Sequence, residues 1–260
     1  MATAPKPRLL SVTPDNLAAT GFFCMQSKQA TEGYRRKQAW LRQRLAEGMQ
    51  FKMLQSEGRG FIEYIPGELA WRALHAPGYM VIHCLWVIGQ SKGRGLGSFM
   101  LADCVNTARK TGMRGVAMVT SSGNWLAGEE LLLKRGFGVV DEAPPGFKLL
   151  ALQFKPGPQP TLPKDWTKRC ARWGKGLVVV RTDQCPYLDR CASDLRELAA
   201  ERGLTFREVH LPDAATVQAV SPSPYGVFAI LHEGRLLSYH PLLKKQVAQR
   251  LDETARELNA

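Results

Sequence analysis

Three glycines at alternating positions stand between an apolar segment and a segment with helical periodicity. They are Gly93, Gly95 and Gly97, within VIGQSKGRGLG at residues 87–97. Glycines let a ligand approach the backbone closely and leave amide protons unshielded. The start of the next helix adds partial positive charge, and Lys92 and Arg94 add full charges. The pattern therefore predicts a pyrophosphate site.

Two other phosphate-binding classes do not fit this loop. No Gly-Lys-Ser/Thr follows it, which excludes the P-loop pattern. The acidic residue of a dinucleotide fold is missing after the next predicted strand, which ends in Ser121-Ser122-Gly123. A tight turn between a strand and a helix, without a ligand, is the structural alternative.

Three side chains on predicted strands are candidates for acid–base or nucleophilic chemistry. Glu63 and His83 are candidate proton acceptors, because free histidine titrates near pH 6.5 and carboxylates serve as bases. Cys84 is a candidate nucleophile. Each residue also has a purely structural interpretation. Glu63 would be a solvated strand carboxylate, His83 a hydrogen-bonded core histidine and Cys84 an inert buried thiol. Three aromatic residues have two alternative interpretations, either as the lining of an acceptor pocket or as part of the core. They are Trp71, Tyr64 and Tyr79.

The elements that position these residues follow from periodicity and from glycine and proline stops. The first half alternates helices and strands. Its predicted strands are residues 50–54, 60–65, 79–88, 115–120, 137–140 and 147–154, and its predicted helices are residues 33–47, 97–110 and 126–135, the last closed by Gly136.

Composition restricts the class of protein. Of 260 residues 45% are hydrophobic, and no apolar run approaches the roughly 20 residues of a membrane span. The first residues lack a secretory pattern, and six scattered cysteines without CxxC spacing do not form a disulfide scaffold. A cytoplasmic protein without a membrane partner is expected.

The formal charge of +12 lies mostly in the first half, where residues 1–155 carry a net +9. A basic surface favours a polyanionic partner, and coenzyme A phosphates would account for part of the excess. The alternative is a basic surface that serves only solubility. Zinc-finger and aromatic RNA-binding signatures are missing from the sequence, so nucleic acid is not the expected partner.

Residues 92–97 resemble the coenzyme A motif of the GNAT acetyltransferases, Arg/Gln-x-x-Gly-x-Gly/Ala, with Lys92 at the first position. Lys134-Arg135-Gly136-Phe137 resembles the end of the GNAT core helix, and the resemblance covers about residues 8–154. It implies that acetyl-coenzyme A, or another acyl-coenzyme A, is the co-substrate. It also implies cofactor contacts from Trp86, Val87, Ile88, Lys92, Gly93, Arg94, Gly95, Leu96, Gly97 and Asn124. Leu132 stands where many members have a tyrosine that protonates the leaving thiolate.

The second half has a different order, β-α-β followed by β-β-α. The predicted elements are strands 177–181 and 204–210, a hairpin of 225–231 with 235–240, and helices 189–202 and 242–258. Asp183-Gln184-Cys185-Pro186-Tyr187 resembles the start of a glutaredoxin active site, and Pro224 resembles the cis-proline that faces it. The second cysteine, Cys191, lies six residues on, so dithiol redox cycling is not predicted.

Taken together, these patterns predict an α/β (α+β) protein with a mixed-sheet GNAT domain at residues 1–155. A linker and basic lead-in follow at 156–175, and a small thioredoxin-like domain at 176–260. The whole resembles acetyltransferase-like proteins with a YoaP-like C-terminal domain. The resemblance implies direct transfer of an acyl group, with acetyl as the expected group and a larger or smaller one as the alternative, to a small amine-type or thiol-containing acceptor.

Two other functions stay open from the sequence. The first is a thiol- or metal-binding module in which Cys185 and Cys191, with His83 and Cys84, hold a soft metal. No metal site is assigned in the leading prediction, where Cys185 is a candidate reactive thiol. The second is nucleic-acid binding through the basic linker. The oligomeric state is not predicted.

Overall fold

The computed structural model describes residues 7–55, 58–123 and 125–258, without the side chains of 255, 257 and 258. The chain forms two compact units. The first comprises residues 1–26, 38–70 and 74–163, and the second comprises residues 27–37, 71–73 and 164–260. The division after residue 163 falls inside the proline-rich segment 156–175. The two short segments from the first half of the chain carry no sequence signal for joining the second unit.

The first unit is built on a seven-stranded mixed sheet. Its order is β1-β2-β3-β4-β5-β7-β6, in which β4 and β5 are parallel and every other neighbouring pair is antiparallel. The strands are β1 Arg8–Val12, β2 Gln50–Gln55, β3 Gly60–Pro66, β4 Tyr79–Val87, β5 Gly115–Ser121, β6 Gly138–Ala143 and β7 Phe147–Gln153. The predicted mixed sheet is confirmed, and β1 was not predicted.

In the described residues, three helices accompany these strands, α1 Leu17–Thr20, α3 Leu96–Lys110 and α4 Glu130–Leu133. A further helix, α2 Glu32–Ala46, is divided, since its residues up to 37 are assigned to the second unit and the rest to the first. The helix α3 packs on β3, β4 and β5. Its buried side chains Met100, Leu101, Cys104 and Ala108 recur at helical spacing. They meet Ile62, Ile82 and Met118 of the sheet in the main core.

The helix predicted at residues 126–135 is only four residues long. Trp125 has a positive φ of 78°, and Gly128 has low helix propensity, so the preceding segment forms turns and bends. Gly136 does end this region in the left-handed conformation, with a φ of 82°. The predicted stop is confirmed, and the predicted start is wrong.

The second unit holds a four-stranded sheet in the order β11-β10-β8-β9. Strands β8 and β9 are parallel, and β10 is antiparallel to both β8 and β11. Its elements are α5 Trp166–Ala171, β8 Leu177–Arg181, α6 Leu188–Glu201, β9 Phe206–His210, α7 Ala214–Val220, β10 Phe228–His232, β11 Arg235–Ser238 and α8 Lys244–Leu258.

Two helices of this unit, α5 and α7, were not predicted. A signal for α7 was present, since the Asp213 carboxylate accepts a hydrogen bond from the Thr216 amide at 2.7 Å and caps the helix. Within the described ranges of the chain, no helix is both long and apolar enough to cross a membrane.

Candidate active site

The glycine loop connects β4 to α3. Gly89, Gly93 and Gly95 have positive φ values of 56°, 76° and 75°. A Cβ added to any of them would meet no atom within 4 Å. These glycines are therefore required by backbone conformation and not by packing, and the space beside them is open to a ligand.

The base of this loop is fixed to the residue before β3. The Ile88 amide donates to the Arg59 carbonyl at 3.0 Å, and the buried Ser91 hydroxyl accepts from the Arg59 amide at 2.8 Å. An open loop on a fixed base is a preorganised binding element.

The loop ends at the N-terminus of α3. Gly95 is the N-cap residue and provides no side-chain cap, and the Phe99 amide donates to the Gly95 carbonyl at 3.0 Å. The amides of residues 96–98 precede that first helical bond and point out of the helix end. With exposed Lys92 and Arg94 beside them, they suit a phosphate-bearing ligand.

The strands β4 and β5 separate beside this loop. They pair in parallel from Tyr79–Gly115 to Ile82–Met118. Beyond that point β5 stays paired with β7 through Ser121, while β4 continues to Val87 paired only with β3. Residues 83–87 therefore present a strand edge on the β5 side, available to the main chain or amide groups of an extended ligand.

A β-bulge lies in β4 where the strands separate. Glu63 pairs with Cys84 but Tyr64 pairs with Ile82, so His83 is the extra residue. The bulge changes which residues face α3, since Ile82 and then Leu85 belong to the same core. Regular alternation cannot place both residues on one face.

The bulge brings the two predicted acid–base residues together. His83 Nδ1 lies 3.3 Å from Glu63 Oε1, and their side chains are 0% and 5% exposed. Glu63 is therefore not a solvated strand residue. The imidazole gives the buried carboxylate a polar partner, as burial requires. If Nδ1 carries the proton toward Glu63, Nε2 is the basic nitrogen.

Cys84 and Trp86 lie on the face of β4 opposite α3, since Leu85 and Val87 pack toward α3. The Cys84 thiol is partly exposed, and Trp86 is 38% exposed. The Trp86 side chain was not predicted as an acceptor contact. A signal was present, because residues two apart in a strand lie on the same face, and Cys84 was already a candidate.

The other aromatic candidates occupy different surroundings. The Tyr64 hydroxyl donates to Asp103 Oδ2 at 3.0 Å on the α3 side, and Tyr79 is fully buried. Burial raises the pKa of the Tyr64 hydroxyl well above its usual range. Trp71 belongs to the second unit.

Leu132 is buried in the main core, so this position has no acid for the leaving thiolate. Asn124 lies outside the described residues.

Cys185 lies in the second unit, in the turn that precedes α6, and is partly exposed. Cys191 is buried within α6, and burial raises the pKa of its thiol to about 11. All six cysteines are described, and none is in a disulfide.

The Ser223–Pro224 bond is trans, so the prediction of a cis proline there is wrong. The described residues contain no group of three or more His, Cys, Asp or Glu suited to hold a metal.

No family model matches the chain. A relative in Bacillus subtilis (strain 168), an uncharacterized N-acetyltransferase called YoaP, is 30% identical over 233 residues, which cover 88% of this chain and 92% of the relative. The chain therefore belongs to the GNAT family of N-acetyltransferases. Its likeness to YoaP extends into the second unit, because a match of this length exceeds the first.

Two solved structures align with part of the chain. The PaiA N-acetyltransferase of Thermoplasma acidophilum, in complex with coenzyme A, is 14% identical and covers 58% of this chain and all of its own, with a TM-score of 0.42. A GNAT family acetyltransferase of Brucella melitensis, in complex with acetyl-CoA, is 15% identical and covers 59% of this chain and 92% of its own, with a TM-score of 0.37.

Proposed function

We propose that this protein transfers an acetyl group from acetyl-CoA directly to a small amine. The observation that carries the proposal is the combination of an open glycine loop at the start of α3 with the adjacent separation of β4 from β5. Together they offer donors for a pyrophosphate and a strand edge for an extended amide-containing arm.

The residues present suit acetyl-CoA in these two respects. The amides of residues 93–98 and the charges of Lys92 and Arg94 would hold the phosphates. The main chain of Trp86, Val87 and Ile88 would hold the pantetheine amides. When bound, acetyl-CoA supplies an acetyl thioester, from which the acceptor nitrogen takes the acetyl group and coenzyme A leaves as a thiol.

The protein's own contribution is proton transfer beside this strand edge. A protonated amine is not a nucleophile, so a base must remove its proton. His83 accepts that proton at Nε2, and Glu63 orients the ring through Nδ1 and stabilises the imidazolium. Cys84, opposite Glu63 in the ladder, contacts the acceptor without forming a covalent intermediate. With Leu132 in place of a tyrosine, the thiolate takes its proton from His83 or from water.

The second unit is proposed to be thioredoxin-like. The strand order β11-β10-β8-β9, with β8 and β9 parallel and a β10–β11 hairpin, supports this topology. The unit is proposed as a scaffold or as a capture site for a thiol-containing acceptor through Cys185. The metal-binding alternative has no specific observation in its favour.

The experiment that tests the function follows thiol release from acetyl-CoA over a set of amine, thiol and hydroxylamine acceptors, with mass spectrometry of the product. We expect an acetylated amine and a rate that falls toward acid pH as the base becomes protonated. His83→Gln and Glu63→Gln should each lower kcat roughly a hundredfold or more, and His83→Gln should flatten the pH profile.

His75→Gln is the matched control, because His75 is an exposed histidine of the same unit. It should behave as wild type. Acetylated thiol as the main product would contradict amine transfer, and an unchanged pH profile in both site variants would remove Glu63 and His83 from the mechanism.

A further inference from the structure

A row of side chains lines the face of β3 and β4 that points away from α3. Glu63 lies opposite Cys84 in the ladder, and Phe61 lies opposite Trp86. Two residues along a strand span about 6.6 Å, so the Trp86 pair is one step from the buried acid–base pair. The row therefore joins a proton-accepting end to an aromatic end.

The aromatic end is held rigidly. The Phe61 ring stacks on Phe51 with centroids 5.1 Å apart and on Phe23 with centroids 4.9 Å apart. Phe51 and Phe61 are buried and Phe23 is partly buried. A ring fixed on both sides presents a surface that loses little conformational entropy when a ligand binds.

Trp86 continues this aromatic row into solvent. Its side chain is 38% exposed, whereas the large aromatics opposite and beyond it are buried or partly buried. An indole packs well against another ring, and its face also attracts a cation such as an ammonium group. Its position thus suits a ligand with both an apolar ring and an amine.

We propose that the acceptor is a primary arylalkylamine, in which a short alkyl chain joins the amine to an aromatic ring, with Trp86 as the residue that selects it. The inference rests on the proposed function, since it places the amine at His83 and Glu63 and the ring on Trp86. A polyhydroxylated amine would lose hydration of its hydroxyl groups against Phe61 and Trp86 without hydrogen bonds in return.

The test compares four amines as acceptors for acetyl-CoA: phenethylamine, tryptamine, spermidine and glucosamine. We expect the two arylalkylamines, phenethylamine and tryptamine, to have the highest kcat/KM. Trp86→Ala should lower kcat/KM for phenethylamine roughly tenfold, mainly through KM, because the ring contact is lost. Trp86→Phe keeps an aromatic surface and should stay within about threefold of wild type.

Val139→Ala is the matched control, because Val139 is another exposed apolar residue of the same unit, on the far edge strand β6. It should leave all four rates unchanged. Calorimetry with acetyl-CoA should give wild-type affinity for every variant, because residue 86 is proposed to contact acetyl-CoA through its main chain only. This result shows that the Trp86 variants are folded and that the effect concerns the acceptor.

The two proposals fail in distinguishable ways. If the wild type binds acetyl-CoA but acetylates only spermidine or glucosamine, or none of the four, the aromatic acceptor is wrong and the acetyl-CoA site stands. An unchanged KM for phenethylamine in Trp86→Ala would also overturn the role of Trp86. If the wild type does not bind acetyl-CoA, the proposed function fails, and this inference fails with it.

Discussion

At the scale of single residues, the contact between His83 and Glu63 depends on one extra residue in β4. Both residue types were recognised in the sequence as candidates for proton transfer. Their contact was not predicted, because a bulge changes the strand alternation without a distinctive residue pattern. Trp86 was predicted from the sequence only as a cofactor contact, and not as a contact of the acceptor.

The cysteines give a residue-scale prediction. Burial raises the pKa of the Cys191 thiol to about 11 and raises those of Cys104 and Cys170 above the usual range. These three thiols stay protonated near pH 7.5 and should react slowly with iodoacetamide. Cys185, partly exposed in the turn before α6, should react fastest of the six.

Limited alkylation read by peptide mass spectrometry checks this order. The alkylation rate of Cys191 should rise about tenfold with each pH unit and level off only near pH 11, where its thiol is largely ionised. In urea all six thiols should react alike, which serves as the control. If Cys170 or Cys191 reacts as fast as Cys185 in the folded protein, the proposal of a reactive Cys185 is wrong.

At the scale of elements, the glycine loop was the most predictable feature, since positive φ values strongly favour glycine. The strand ends around it were also predicted within one or two residues. In contrast, the membership of the segment Trp71–Ala73 in the second unit was not predicted, because the residues that it contacts lie far along the chain. The Gln184 side chain accepts from Arg72 Nη1 at 2.6 Å and donates to the Trp71 carbonyl at 3.3 Å.

The close packing of Gly226 against the segment Trp71–Ala73 gives a prediction at the scale of elements. A Cβ there would lie 2.8 Å from the Trp71 carbonyl oxygen and 3.1 Å from the Arg72 Cα, and its φ is 66°. Gly226→Ala should lower the free energy of unfolding by about 2–4 kcal/mol, since backbone strain and overpacking add. Urea denaturation followed by tryptophan fluorescence measures this loss.

The matched control is Gly203→Ala, at a φ of 64° with no atom within 4 Å of the added Cβ. It should lower the free energy of unfolding by only about 1–2 kcal/mol, from backbone strain alone. Equal losses in the two variants would show that Trp71–Ala73 does not pack against Gly226 as described.

At the scale of the whole molecule, the predicted strands and helices occur in the structure in the predicted order, with β1, α1, α5 and α7 in addition. The family follows from the likeness to YoaP. The assignment of residues 27–37 and 71–73 to the second unit could not be predicted, because periodicity describes local structure only. Counted by unit, the net charge is +5 in the first and +7 in the second, so the excess of basic residues in the first half of the sequence is not confined to the first unit.

Calorimetric titration of acetyl-CoA into wild type, Gly95→Asp and Gly203→Asp tests the central claim most directly. Both variants place aspartate at a positive φ with open space around it, so their backbone strain is matched. The wild type and Gly203→Asp should bind one acetyl-CoA with equal affinity. Gly95→Asp should lose roughly a hundredfold or more in affinity, because its carboxylate repels the pyrophosphate. Undiminished binding by a folded Gly95→Asp variant would contradict the account, since the site would then lie away from the start of α3.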